Sequence, residues 1–251
     1  MTSASRQPYR PQPSATEVIG HRGYARPDRP ENTLAAMVAA LRAGAHGVEV
    51  DIRLTANGVA VCWHDADLVR VAGDPRDVRL ASYAELLQVA LPGGHRIATL
   101  AEVIAAVAGR GLLILDLKPD PRPIELVDAI VACLDGSPPV DVVVSSTEPE
   151  LLDALAWRAP HLARAPISAH RESAEATLRS ALRRADAAIH LDLTALLAAP
   201  DVVTQSHLAG LTVRAWTVNR PVDAQLLELI GVDSLITDDP ALLLARRPVA
   251  V

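Results

Sequence analysis

Short apolar runs alternate with Ala- and Leu-rich stretches along nearly the whole chain. The apolar runs at 17–20, 46–52, 112–117, 141–145, 162–167, 186–191, 212–217 and 233–237 have the length of strands buried on both faces. The stretches between them, at 33–43, 99–108, 123–134, 148–157, 172–184, 194–208, 221–229 and 239–245, carry helical spacing. Eight strand–helix pairs in a row predict a parallel sheet, most simply a closed (β/α)8 TIM barrel. An open doubly wound sheet is the alternative, but no Gly-rich dinucleotide fingerprint follows the first strand. Asn32, Thr99, Thr147 and Thr194 stand at helix starts as predicted N-caps. Gly44 and Gly109 stand where the first two helices should stop.

The alternation breaks once. Asn57-Gly58 between two apolar runs is a hairpin signal, so the second strand should fold back through 59–63 and present His64 near its own end. Residues 66–98 then form a Asp-, Gly- and Pro-rich insertion after strand two, placed to cap the barrel mouth. Loops of that length usually carry function or move.

Composition narrows the picture. At 251 residues the chain has the size of one barrel, about 250 residues. Half the residues are hydrophobic, yet aromatics are only 2% and Phe is absent, so the core must be aliphatic. A net charge of −6 argues against nucleic acid or an anionic membrane as partner. No apolar run reaches the roughly 18 residues of a membrane span. Residues 1–16 read as a flexible arm without the apolar stretch of a secretion signal, 17–245 as one barrel domain, and 246–251 as a tail. The expectation is a cytoplasmic protein. Cys62 and Cys133 form no spacing motif and read as buried free thiols. Oligomeric state leaves no trace in the sequence.

The chemistry gathers at strand ends. Glu49 and Asp51 are two apart on one strand, so both point to one face. If that face is the barrel interior, their repulsion calls for a cation. Asp116 and Lys118 repeat the spacing on the third strand. Lys118 is the only lysine among 24 Lys and Arg, a compact ammonium kept where a planar guanidinium would not serve. Asp116 reads as a third oxygen ligand and Lys118 as a phosphoryl contact. Three carboxylates suit Mg²⁺ or Ca²⁺ rather than Zn²⁺. His21-Arg22-Gly23 follows the first strand and offers an imidazole, a fork matched to phosphate and a sharp turn. Asp65 stands beside His64 to orient it. Trp216 and Asn219, at the end of strand seven, read as substrate contacts. Thr237-Asp238-Asp239-Pro240 reads as a cap for the last helix. His46, His95, His161, His170, His190 and His207 are assigned no role, His190 with Asp192 being the least secure of these.

The runs IGHRG, PENTLAAM, GAHGVEVDIRLTANGVAVCWHD, LLILDLK, SSTEPELL, AWTVN and LITDDP, in this order, resemble the glycerophosphodiester phosphodiesterases from about residue 19 to 240. The resemblance implies a (β/α)8 barrel with an insertion after strand two. It also implies hydrolysis of glycerophosphodiesters, the small-molecule partners, to glycerol 3-phosphate and an alcohol. By position, His21 and His64 match the acid/base pair, Arg22 a phosphate ligand, and Glu49 and Asp51 metal ligands. Three positions depart from the pattern. Asp116 stands where the family usually has Glu, and its shorter arm would draw the metal toward strand three or admit a water. Barrel phospholipases of the sphingomyelinase D type are similar in having Asp there with Lys two later. Thr147 stands for the usual Phe, and Ala98 for the usual Pro.

The expected reaction is metal-assisted phosphodiester cleavage in which one of His21 and His64 is the base and the other the acid, an order the sequence leaves open while favouring His21 as base. Water or the neighbouring glycerol hydroxyl would be the nucleophile. The rival readings are a lipid phosphodiesterase acting on lysophospholipids, an inactive barrel that binds phosphate ligands, and a purely structural barrel.

Overall fold

In the computed structural model, which describes residues 15–137, 139–168 and 173–245, every apolar run forms a strand within two residues of its predicted ends. The strands are β1 (Glu17–Gly20), β2 (Gly47–Leu54), β3 (Ala60–Cys62), β4 (Asp67–Leu68), β5 (Asp74–Asp77), β6 (Leu112–Leu117), β7 (Val142–Ser146), β8 (Ala163–Pro166), β9 (Ala188–Asp192), β10 (Thr212–Trp216) and β11 (Ser234–Thr237). Eight of them pair in parallel in the order β8-β7-β6-β2-β1-β11-β10-β9. Among the described residues, a parallel bridge from Ile167 to His190 joins the two ends, with backbone hydrogen bonds from the Ala187 N–H to Arg164 O and from the Ser168 N–H to His190 O. The result is a nearly closed eight-stranded parallel barrel, as the alternation predicts.

The helices are α1 (Leu34–Arg42), α2 (Val69–Ala72), α3 (Tyr83–Leu86), α4 (Leu100–Val107), α5 (Pro123–Asp135), α6 (Pro149–Arg158), α7 (Ala174–Arg184), α8 (Leu193–Ala198), α9 (Asp201–Leu208), α10 (Pro221–Leu229) and α11 (Pro240–Ala245). Strand side chains alternate between them and the barrel interior. Val48, Val50, Ile52, Leu113 and Leu115 face outward and pack with Val103, Ile104 and Ile130 of α4 and α5. Ile19, Ile114 and Ile236 face inward and form an apolar layer with Trp216 against it. Each fully buried aliphatic contributes about 1.5–3 kcal/mol. The inward alternation also sets Glu49, Asp51 and Asp116 at the C-terminal end of the interior, where barrels of this kind carry their chemistry.

β3 runs antiparallel to β2, with Ile52 opposite Cys62 and Leu54 opposite Ala60, so the Asn57-Gly58 turn does what its sequence predicts. The insertion that follows is ordered. β4 pairs β5, α3 is closed by a Ser82/Glu85 capping box, and Val61, Trp63, Leu68, Val78, Leu86, Leu91 and Ile97 form an apolar cluster of their own.

Several local expectations need correction. The helix predicted at 194–208 is two helices, α8 and α9. Pro200 stands at the break, where it has no N–H to continue the ladder. Thr99 caps α4 as predicted, but the other three caps shift. Thr33, not Asn32, caps α1. Asp192, not Thr194, caps α8. Glu148 rather than Thr147 precedes α6, and its N–H donates to Ser146 Oγ. Cys62 and Cys133 are both free, but only Cys62 is fully buried. No helix among the described residues is long and apolar enough to cross a membrane. Residues 1–14, His170 and residues 246–251 lie outside the described residues.

Candidate active site

The loop after β1 is wound tightly by its own sequence. Arg22 adopts φ +52° and Gly23 φ +86°. A Cβ at Gly23 would meet the backbone carbon of Ala36 at 2.5 Å, so only glycine fits. Left-handed backbone costs a non-glycine residue of order 1 kcal/mol or more. Here it is held by the Arg22 N–H, which donates to Glu49 Oε2 at 2.9 Å, and by the Asn32 N–H, which donates to Arg22 O. Asn32, itself at φ +59°, clasps Asp51 twice. Its Nδ2 donates to Asp51 Oδ2 at 2.7 Å, and its Oδ1 accepts from the Asp51 backbone N–H at 3.1 Å. An asparagine expected to cap a helix therefore orients a carboxylate.

Glu49, Asp51 and Asp116 each present an oxygen to one place, with the three atoms all within 4.8 Å of one another. Glu49 is 5% exposed and Asp51 1%. Lys118 Nζ lies 2.8 Å from Asp51 Oδ1 and 2.6 Å from Asp116 Oδ2. Arg22 Nε lies 3.1 Å from Asp51 Oδ2. Three carboxylates against two cations leave one formal negative charge in a buried space. The protonation of the three acids follows from this. Burial raises Glu49 and the neighbouring Asp51 charge raises it further, to about 7. Burial likewise raises Asp116, to about 6, although Lys118 opposes it. Burial would raise Asp51 too, but Lys118 and then Arg22 outweigh it and hold Asp51 well below the usual carboxylate range. Asp51 Oδ1 rests against the Lys118 ammonium. Three buried carboxylates that present oxygens this close together, two of them with pKa raised first by burial, are what a hard cation would relieve.

Two imidazoles flank the carboxylates. His21 Nδ1 is 2.7 Å from Asp238 Oδ1, and its Nε2 is 4.0 Å from Glu49 Oε2. Asp238 Oδ2 accepts from Asn219 Nδ2 at 2.5 Å, and Asn219 Oδ1 accepts from the Asp238 N–H and from Thr237 Oγ1. His64 Nδ1 is 2.7 Å from Asp65 Oδ1. A carboxylate at Nδ1 fixes that nitrogen as the N–H and leaves Nε2 of each ring for chemistry. The two rings are tuned apart. Burial lowers the His21 pKa, but the hydrogen bond to Asp238 and the charge of Glu49 more than offset it, so His21 is raised. Burial dominates at His64, which is lowered despite the charge of Asp51.

The structure thus brings together His21, Arg22, Glu49, Asp51, His64, Asp116 and Lys118. Arg22 and Lys118 both hold carboxylates here. Arg22 Nη1 also takes Glu31 Oε1 at 2.9 Å. Trp216 lies on the inner apolar layer, and Asn219 holds Asp238. An open cleft of about 510 Å³ leads to His21 and Arg22, with Arg26, Glu31 and Asp238 on its walls. A second hollow of about 320 Å³ past Pro119 contains none of the site groups. Asp238 is the residue whose part the sequence conceals. It sits beside Asp239, whose Oδ1 accepts from the Leu242 N–H of α11, and the pair looks like a single helix cap.

The chain matches the model of the glycerophosphoryl diester phosphodiesterase family over residues 21–242. It is 28% identical over 239 residues to a glycerophosphodiester phosphodiesterase of Caldanaerobacter subterraneus subsp. tengcongensis, covering 91% of this chain and 96% of that one. Among solved structures, an Oleispira antarctica phosphodiesterase in complex with the product sn-glycerol-3-phosphate superposes with a TM-score of 0.84 at 27% identity, over 92% of this chain and 96% of that one. A glycerophosphodiester phosphodiesterase from Thermotoga maritima gives a TM-score of 0.79 at 28% identity, over 92% and 98%. A match spanning nearly the whole barrel, on a fold shared with these enzymes, leaves one assignment: the chain is an enzyme of the glycerophosphoryl diester phosphodiesterase family.

Proposed function

We propose that this protein hydrolyses glycerophosphodiesters to glycerol 3-phosphate and an alcohol, using one divalent cation, Mg²⁺ or Ca²⁺. The convergence of Glu49, Asp51 and Asp116 carries this reading. Three oxygen donors with no sulfur or nitrogen suit a hard cation. A bound cation would supply Lewis-acid stabilisation of charge developing on the phosphate. The same reading takes residues 17–245 as one phosphodiesterase domain. The product carried by the Oleispira enzyme supports the choice of substrate class.

In this mechanism the chain's own groups divide the work. Arg22 and Lys118 turn positive charge toward the phosphate, and those contacts accelerate the reaction to the extent that they strengthen in the transition state. Trp216 forms an apolar wall at the inner end of the site. The two imidazoles move protons, each worth about 10²–10⁴-fold. Their tuning favours His64 as the base and His21 as the acid. His64, lowered, is neutral near pH 7 and takes the proton of the nucleophile at Nε2. His21, whose pKa the Asp238 hydrogen bond raises against burial, is placed by this reading as the acid that gives a proton to the leaving alkoxide. The nucleophile is water or the substrate's own neighbouring hydroxyl, and the second would release a cyclic phosphate first.

The deciding experiment is an assay of several glycerophosphodiesters with and without Mg²⁺ or Ca²⁺, reading out glycerol 3-phosphate and cyclic phosphate. Turnover that survives complete chelation would refute the metal reading. No release of glycerol 3-phosphate from any of them would refute the substrate class.

A further inference from the structure

Arg70 belongs to the insertion and lies in α2, where the sequence gives no hint of a role. Its guanidinium nonetheless reaches both sides of the site. Nε donates to Asp65 Oδ2 at 2.6 Å. Nη1 and Nη2 donate to Glu31 Oε2 and Oε1 at 2.9 and 2.7 Å, a fork on one carboxylate. Each carboxylate holds a site residue by its other contacts. Asp65 Oδ1 is on His64 Nδ1 at 2.7 Å. Glu31 Oε1 also accepts from Arg22 Nη1 at 2.9 Å. Glu31 comes from the loop after β1 and Asp65 from the turn after β3. One planar cation thus ties together two loops that nothing in the barrel ladder joins.

We propose that Arg70 is a positioning residue for the phosphodiesterase reaction: through Asp65 it fixes the His64 ring, and through Glu31 it fixes the Arg22 guanidinium. This rests on the proposed function in that His64 and Arg22 act on the substrate. Only a fork can serve here, because the two carboxylates must be held at once and at fixed angles. Arg70 is half-exposed, and exposed ion pairs add little to stability. Its contribution is therefore to geometry, where misplacement by a fraction of an ångström is felt in turnover.

The test compares wild type, Arg70→Gln, Arg70→Lys, Asp65→Asn and the Arg70→Gln/Asp65→Asn double variant, with glycerophosphocholine and saturating Mg²⁺. Outer partners of site residues are worth about 10–100-fold, so Arg70→Gln should lose at least about tenfold in kcat with KM nearly unchanged. Arg70→Lys should regain only part of that. The double variant should lose little beyond the worse single variant, because both act along one line. A wild-type kcat in Arg70→Gln overturns the proposal, as do additive losses. A raised KM at unchanged kcat overturns it too, by making Arg70 a direct substrate contact. A readout independent of turnover is the His64 imidazole in nitrogen-15 NMR. Wild type should show one Nδ1–H signal protected from exchange, and Arg70→Gln should lose it. An unchanged His64 signal refutes the positioning role even if the wild type proves inactive on every glycerophosphodiester, an outcome that would by itself refute only the functional reading.

Discussion

Cation binding to the carboxylate cluster should depend steeply on pH, and the structure sets the size of the effect. With the cluster free of metal, Glu49 is raised to about 7 and Asp116 to about 6. A cation can use only the ionised forms, so below these values it must displace protons. At pH 5 the proton on Glu49 weakens binding about 10²-fold and that on Asp116 about tenfold, giving about 10³-fold between pH 8 and pH 5. Asp51, held low by Lys118 and Arg22, stays ionised throughout and adds nothing. Metal-free stability runs the opposite way. Both acids are raised by folding, so their contribution to metal-free stability is full below their unfolded values, near pH 4, and is lost as pH rises through 6 and 7. Added Mg²⁺ or Ca²⁺ should therefore raise the melting temperature much more at pH 8 than at pH 5. Calorimetric titration at pH 5, 6, 7 and 8, in buffers of differing ionisation enthalpy, measures both affinity and protons released. About two protons should leave per cation at pH 5 and almost none at pH 8. Glu49→Gln should remove the larger part of the pH slope. An affinity that changes less than tenfold from pH 5 to pH 8, or binding without proton release, would refute the reasoning.

Three further outcomes follow from the geometry. His21→Ala and His64→Ala should each lower kcat at least about a hundredfold while cation binding measured by calorimetry persists; near-normal turnover removes that imidazole from the mechanism. Asp238→Asn should lower kcat about 10–100-fold and, because Asp238 helps hold the His21 pKa up, should move the alkaline limb of the pH–rate profile to lower pH; an unmoved limb argues that His21 is not the acid. Gly23→Ala forces a Cβ against Ala36 at φ +86° and should destabilise the fold by about 1–3 kcal/mol in urea unfolding; unchanged stability would show that the turn relaxes freely.

What the sequence makes legible is whatever repeats or alternates. The strand–helix rhythm predicts the barrel, and the two-residue spacing of Glu49/Asp51 and Asp116/Lys118 places four polar groups in its interior. Those signals are local, and so they survive in a linear reading. Asp238 reaches His21 across 217 positions of chain, and only the pairing of β1 with β11 makes them neighbours. Asn32 fails for another reason. It precedes a helix and has the chemistry of a cap, but Thr33 takes that place and frees the Asn32 amide for Asp51. Arg70 and Glu31 carry no spacing signal at all, because their meeting depends on how the insertion folds over the barrel. Which imidazole is the base depends on burial and neighbours rather than on residue type, so spacing alone leaves it open.

The short pairing that closes the barrel between β8 and β9 has a mechanical consequence. Between β1, β2, β6 and β11, the staves that carry the carboxylates, His21 and Asp238, each neighbouring pair shares at least two aligned residues. Among the described residues, the joint with the fewest aligned pairs lies on the far side of the cylinder. Thermal breathing will concentrate there, and amide exchange should be fastest along that slit. The cylinder can flex open opposite its reactive groups while the spacing among them stays rigid.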